Sequence, residues 1–222
     1  MKTTTNTISV KRHSLTYRIL HWAIVAEVLM LVISGMAVSE YLKLPILSRG
    51  VARSLHIVIS MAWTGTITFF LYYFVVSGEY KWFGLSRIGK GFDFFMHEIK
   101  CIVEGKKLES PVRYNIEKNK YEEKIVLTEV LAWWGWLTLW MIMVLTGLGL
   151  IFPADFSIVN RFSQAIFSGF DNPAAATRFL HISVSMIMVV YAVIHAYASY
   201  IFGMVGSMLT GIKQEPIAEP KK

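Results

Sequence analysis

The sequence predicts an all-α integral membrane protein, a bundle of four transmembrane helices with both termini in the cytoplasm. Three observations predict it: 55% of the 222 residues are hydrophobic, mean hydropathy is +0.49, and four apolar segments each reach the roughly 20 residues that a helix needs to cross a hydrocarbon core. Those segments are 19–38, 55–76, 125–152 and 179–202. In lipid every backbone N–H and C=O must be satisfied within the spanning structure, so only helices and closed barrels cross. Continuous apolar runs without the period-two alternation of a barrel strand select helices.

The first segment can pass for a secretory signal, since Ala37-Val38-Ser39 loosely resembles a cleavage site. Its apolar stretch is longer than a usual signal core and carries His21 and Glu27, so it is expected to be retained.

A net charge of +7 and a pI near 9.4 would raise nucleic acid as a partner for a soluble chain. Here the cations follow the helices. Of the 22 Lys and Arg, four precede the first span (Lys2, Lys11, Arg12, Arg18), ten lie in the 77–124 loop and three in the C-terminal tail, which leaves three and two for the other loops. The positive-inside rule then places both termini and the 77–124 loop in the cytoplasm, with the first and third helices running outward and the second and fourth inward. The basic excess is thereby accounted for without nucleic acid.

The 77–124 loop mixes ten basic with eight acidic residues and lacks a fold-sized core. Within it, 91–106 reads either as a short amphipathic helix on the membrane surface, with Phe92, Phe94, Phe95 and Ile99 as its apolar content, or as a solvated loop. Residues 1–211 form one domain, and 212–222 are expected to be a disordered tail. No internal sequence repeat is evident. The single cysteine, Cys101, excludes an internal disulfide, and the absence of C-x-x-C-H excludes covalently attached c-type haem.

Histidine in a spanning helix is costly and is a functional candidate by default. Four of the six histidines lie in or at the ends of the spans: His21, His56, His181 and His195. With the charge-derived topology, His21 lies toward the cytoplasm and His56 toward the outside. His181 is near the outer end of the fourth helix, and His195 follows it by 14 residues, roughly 21 Å along the axis and close to four whole turns, so the two share a face. Depth sorts them into an outer pair, His56 with His181, and an inner pair, His21 with His195. Two axial nitrogens across a gap between helices are what a six-coordinate haem requires, and such an iron has no open position for substrate. Two haems b and an electron-transfer task are expected. A zinc site would want about four ligands at one depth, where only two are available.

Arg18, Arg53 and Arg178 each stand three residues before one of these histidines, as Arg-Ile-Leu-His21, Arg-Ser-Leu-His56 and Arg-Phe-Leu-His181. At that spacing the two side chains share a helix face with the guanidinium nearer the surface, suited to a haem propionate; snorkelling interfacial arginines are the plainer reading. Gly35, Gly65, Gly147 and Gly149 permit a ring or a neighbouring helix to approach the backbone. Glu27 and Glu129 fit either a proton route or polar contacts inside the bundle. His13 and His97 fall outside the spans, and Trp133, Trp134, Trp136 and Trp140 read as packing and interface anchors.

Leu20-His21-Trp22, Ile33-Ser34-Gly35, Leu55-His56, Arg113-Tyr114-Asn115, Leu145-Thr146-Gly147 and the 14-residue gap between His181 and His195 together resemble the cytochrome b (gamma) subunit of membrane-bound formate dehydrogenases. That family lies within the bacterial di-haem b cytochromes that also anchor nickel-iron hydrogenases and thiosulfate or polysulfide reductases. The resemblance runs to about residue 211. It implies a multi-pass protein of the bacterial cytoplasmic (inner) membrane, with an iron-sulfur subunit docked at the outer haem and a molybdenum- or tungsten-containing catalytic subunit beyond it. It also implies a menaquinone-type site near the inner haem, contacted by His195 and Asn115. After Asn115 the chain departs from the family, with Ile116, Glu117 and Lys118 where small and amide-bearing residues are usual. Rival readings are a histidine-bearing metal or proton transporter and a purely structural anchor.

Overall fold

In a computed structural model of the chain, residues 7–39, 44–106, 108 and 110–218 are described. Their elements run β1 (Thr7–Lys11), α1 (Leu15–Val38), α2 (Arg49–Val76), α3 (Ile88–Val103), β2 (Arg113–Asn115), β3 (Lys120–Glu123), α4 (Thr128–Ile151), α5 (Ser157–Ile166), α6 (Pro173–Ile201), α7 (Val205–Thr210) and β4 (Ile212–Pro216). Four of them, α1, α2, α4 and α6, are long and apolar enough to cross a membrane. Three of them, α1, α2 and α6, begin four to six residues earlier than the apolar runs because their first turns are built by polar caps, whereas α4 begins three residues later without a side-chain cap. Ser14 accepts from the Tyr17 N–H, Ser48 from Val51, and Asn172 from Ala174 with Pro173 in the first turn, each satisfying a backbone donor that a helix start leaves open.

The chain divides into two units, the first made of 1–84, 109–126 and 203–222 and the second of 85–108 and 127–202. In the first, α1 and α2 form an antiparallel hairpin. Its rungs run from Ser14 Oγ against the Tyr73 hydroxyl at 2.5 Å, through Tyr17 against Phe70 with ring centres 5.2 Å apart and Thr66 on Glu27, to Ser34 against His56.

At the end of the hairpin where α1 begins, three segments assemble. β1 pairs antiparallel with β4, the β2–β3 hairpin touches the same strand region through Tyr114 and Ile217, and Lys124 pairs with Glu79 just beyond α2. Arg12, 5% exposed, and Glu215, 1% exposed, form a buried ion pair. Arg12 also donates to the Lys124 carbonyl at 2.6 Å, and the Tyr121 hydroxyl reaches Glu215 at 3.4 Å. The N-terminal segment, the 109–126 part of the basic loop and the C-terminal segment thus sit together at one end of this hairpin, the end that the charge asymmetry assigns to the cytoplasm. The expectation of a disordered tail over 212–222 is corrected for 212–217, which add β4, paired with the N-terminal strand, and a bridge from Ile217 to Tyr114; residues 219–222 lie outside the described part. A strand that satisfies its backbone on β1 and buries Glu215 against Arg12 is ordered by those contacts, not by its own composition.

In the second unit α4 and α6 form another antiparallel hairpin, with the Tyr191 hydroxyl on the Ala132 carbonyl and Thr146 against His181. Helix α5 packs its polar side inward: buried Asn160 donates to the Gly149 carbonyl at 3.1 Å and accepts from Thr177 at 2.7 Å, leaving Ile158, Phe162 and Ile166 exposed. Of the two readings of 91–106, the helical one is observed as α3. Its Gly91 lies so close to α4 that a Cβ there would stand 2.9 Å from the Leu127 carbonyl, and Thr128 donates to Glu98 at 2.6 Å. Phe92, Met96, Ile99, Ile102 and Val103 form an exposed apolar stripe at the spacing of an interfacial helix.

Candidate functional site

Each long hairpin carries one histidine near its outer loop and one near its opposite end. In the first, His56 lies in the second turn of α2 and meets α1 at Ser34, whose Oγ is 3.0 Å from the ring Nδ1. The same hydroxyl approaches the Met30 carbonyl at 2.7 Å and the Leu31 carbonyl at 3.2 Å. Next in the chain is Gly35, where a Cβ would come within 3.3 Å of His56 Cε1, so the absent side chain makes room for the ring. In the second, His181 meets α4 at Thr146, whose Oγ1 is 2.8 Å from Nδ1 and approaches the Ile142 and Met143 carbonyls at 2.7 and 3.2 Å. Gly147 follows, its virtual Cβ 3.7 Å from His181 Cε1.

These contacts favour one ring tautomer. A hydroxyl has one hydrogen, and carbonyls only accept, so Ser34 and Thr146 spend that hydrogen on their own helix backbones. Toward the imidazole each oxygen is therefore the acceptor, and Nδ1 carries the proton. The lone pair then resides on Nε2, the state in which neutral imidazole binds a metal.

The other two histidines stand one membrane level away. His21 precedes Ser34 on α1 by 13 residues, roughly 20 Å along the axis, and His195 follows His181 on α6 by 14 residues, roughly 21 Å. The His21 ring packs edge-on against Trp22 at 5.5 Å. His195 is exposed on α6.

Arg53 and Arg178 are exposed one turn before His56 and His181. Arg18, one turn before His21, donates to the Leu209 carbonyl, and its guanidinium lies beside Gly211, so one of its donors serves the C-terminal tail. Asn115 is on β2, where its amide donates to Glu122 at 2.9 Å and its carbonyl accepts from the Lys118 N–H at 2.9 Å. Cys101 is buried in α3 with Sγ 3.5 Å from His97 Nε2. Ser34 and Thr146 are the side chains against these rings that residue-type reasoning did not single out; the Ser-Gly and Thr-Gly pairs near the ends of two spans were the available signal. Glu27 is fixed by Thr66 at 2.8 Å.

Among the described residues no three His, Cys, Asp or Glu side chains gather as a metal cluster. Two imidazoles, His56 and His181, each with a hydroxyl at Nδ1 and a glycine at Cε1, are donors suited to haem iron ligated by histidine. A family model described as prokaryotic cytochrome b561 matches residues 12–211. No curated protein matches the chain.

Proposed function

Because the chain belongs to the prokaryotic cytochrome b561 family, whose members are membrane electron carriers that bind haem b, we propose that it is the di-haem cytochrome b subunit anchoring a respiratory oxidoreductase complex, with formate dehydrogenase as the complex. The observation that carries this reading is the matched spacing of histidines, with one outer and one inner histidine on each hairpin separated by nearly the same axial rise. His56 and His181 would hold the outer haem, and His21 and His195 the inner one. Bound haem supplies a reversible one-electron couple at each level.

The residues of the chain do the rest. Arg53 and Arg178 offer guanidinium donors to the outer propionates and Arg18 to an inner one. Asn115, freed from Glu122 and Lys118, can orient a menaquinone carbonyl with its amide, beside His195. An iron-sulfur subunit would deliver electrons at the outer face from a molybdenum- or tungsten-containing catalytic subunit. The apolar stripe of α3 would rest on the lipid of the cytoplasmic leaflet. The same family membership serves, as second reading, the cytochrome subunit of a nickel-iron hydrogenase or a thiosulfate or polysulfide reductase.

The test is to reduce the purified protein with an artificial donor and add a menaquinone analogue. Both haem populations should reduce and then reoxidise, and Asn115→Leu should keep both while slowing reoxidation. Reoxidation at the wild-type rate in that variant removes Asn115 from the quinone site; absence of b-type bands refutes the reading as a whole.

A further inference from the structure

The two hairpins share no evident sequence repeat, yet they treat the histidine near the outer loop in the same way. In each, a hydroxyl residue on one helix places its oxygen within 3.0 Å of Nδ1 of a histidine on the next: Ser34 to His56 and Thr146 to His181. Each hydroxyl is itself tied to the carbonyls three and four residues back, and each is followed by a glycine against the ring's Cε1. A Ser or Thr bonding back to its own helix is commonplace. What is not commonplace is that the same oxygen also lies within hydrogen-bond distance of an imidazole Nδ1, twice, on separate helix pairs.

We propose that Ser34 and Thr146 are positioning residues for the outer haem, holding the His56 and His181 rings in plane and tautomer and lowering that haem's midpoint potential. The inference rests on the reading of His56 and His181 as axial ligands. The physical chain is short. An Nδ1–H that donates to an oxygen makes the imidazole a more electron-rich ligand at Nε2, and an electron-rich ligand favours the ferric over the ferrous iron. The oxygen is a better acceptor because its own hydrogen is committed to backbone carbonyls, so the bonds run in one direction and reinforce each other. Gly35 and Gly147 leave the ring edge its place beside the hydroxyl.

The experiment is a redox titration with low-temperature electron paramagnetic resonance on the full chain, comparing wild type with Ser34→Ala, Thr146→Ala, Thr146→Val and the swaps Ser34→Thr and Thr146→Ser. Thr146→Val keeps the shape of the side chain and removes only the hydroxyl. Haem content should stay at two per chain. The outer midpoint should shift upward in the hydroxyl-free variants with the inner midpoint unmoved, the outer low-spin ferric signal should change its g-values, and the swaps should restore both. Should the alanine variants lose the outer haem, retention in the two swaps still supports the hydroxyl role, whereas loss in all variants overturns it. Unchanged outer potential and signal in Thr146→Val and Ser34→Ala, or equal shifts in both haems, also overturn it. Wild-type protein without haem bands would instead refute the ligand assignment beneath it.

Discussion

Thr66 donates a 2.8 Å hydrogen bond to Oε1 of Glu27 midway along the α1–α2 hairpin, while Oε2 of the same carboxyl is enclosed with no hydrogen-bond partner among the described residues. Removing the donor strands the carboxyl in an apolar setting. Thr66→Val should therefore cost about 1 kcal/mol or somewhat more, and the double variant Glu27→Leu with Thr66→Val should lie closer to wild type than Thr66→Val alone. Thermal unfolding in detergent, followed by tryptophan fluorescence, measures both. Additive losses would show that the pair is not coupled.

The two glycines beside the outer histidines differ in clearance, 3.3 Å to Cε1 at Gly35 and 3.7 Å at Gly147. The first is tighter than ordinary contact and the second is ordinary. Gly147→Ala should keep full haem content, Gly35→Ala should perturb the outer haem spectrum, and Gly35→Val should reduce its occupancy. Equal tolerance of valine at both positions would contradict a ring seated on Gly35.

The buried Arg12–Glu215 pair fastens the C-terminal strand to the N-terminal one. Breaking a buried pair leaves an uncompensated charge, a cost of about 3–5 kcal/mol. Glu215→Leu should release the tail to protease cleavage after residue 203, and Arg12→Met with Glu215→Leu should recover much of the protection. Limited proteolysis with mass spectrometry reads the outcome, and a tail equally resistant in Glu215→Leu would show that the strand pairing suffices.

Burial, and then the neighbouring Arg12 and Lys124 cations, hold His13 at about 3, down from 6.5. The folded ring is neutral where the unfolded one would be protonated, so unfolding takes up a proton between those values and stability rises with pH. The contribution is complete above about 6.5 and is lost as pH falls toward 3. Wild type should thus lose more melting temperature between pH 7.5 and 4.5 than His13→Gln does. Parallel pH profiles would remove His13 from the linkage.

Much of this was legible in the chain itself, and the limits have physical reasons. Hydropathy finds four spans because lipid demands continuous apolar length, but a hydropathy window outvotes short capping signals such as Ser48 and Asn172-Pro173, so α2 and α6 begin six residues early. Helix α5 escapes because it is short and turned inside out, with Asn160 and Ser163 buried and Ile158 exposed. Strand β4 escapes because its order comes from β1, some two hundred residues away, and from Glu215 finding Arg12. At the candidate site the histidines announce themselves by residue type and depth, whereas Ser34 and Thr146 do not, since a hydroxyl in a span is ordinary until a histidine is placed against it.

The central claim is two haems b on one chain, sorted by depth. A pyridine haemochrome assay against protein concentration tests it most directly, on wild type and on His195→Leu. Two haems b per wild-type chain and one in the variant are expected, the survivor keeping the spectrum and potential of the haem assigned to His56 and His181. One haem or none in the wild type, or a His195→Leu protein that loses the outer haem and keeps the inner, would contradict it.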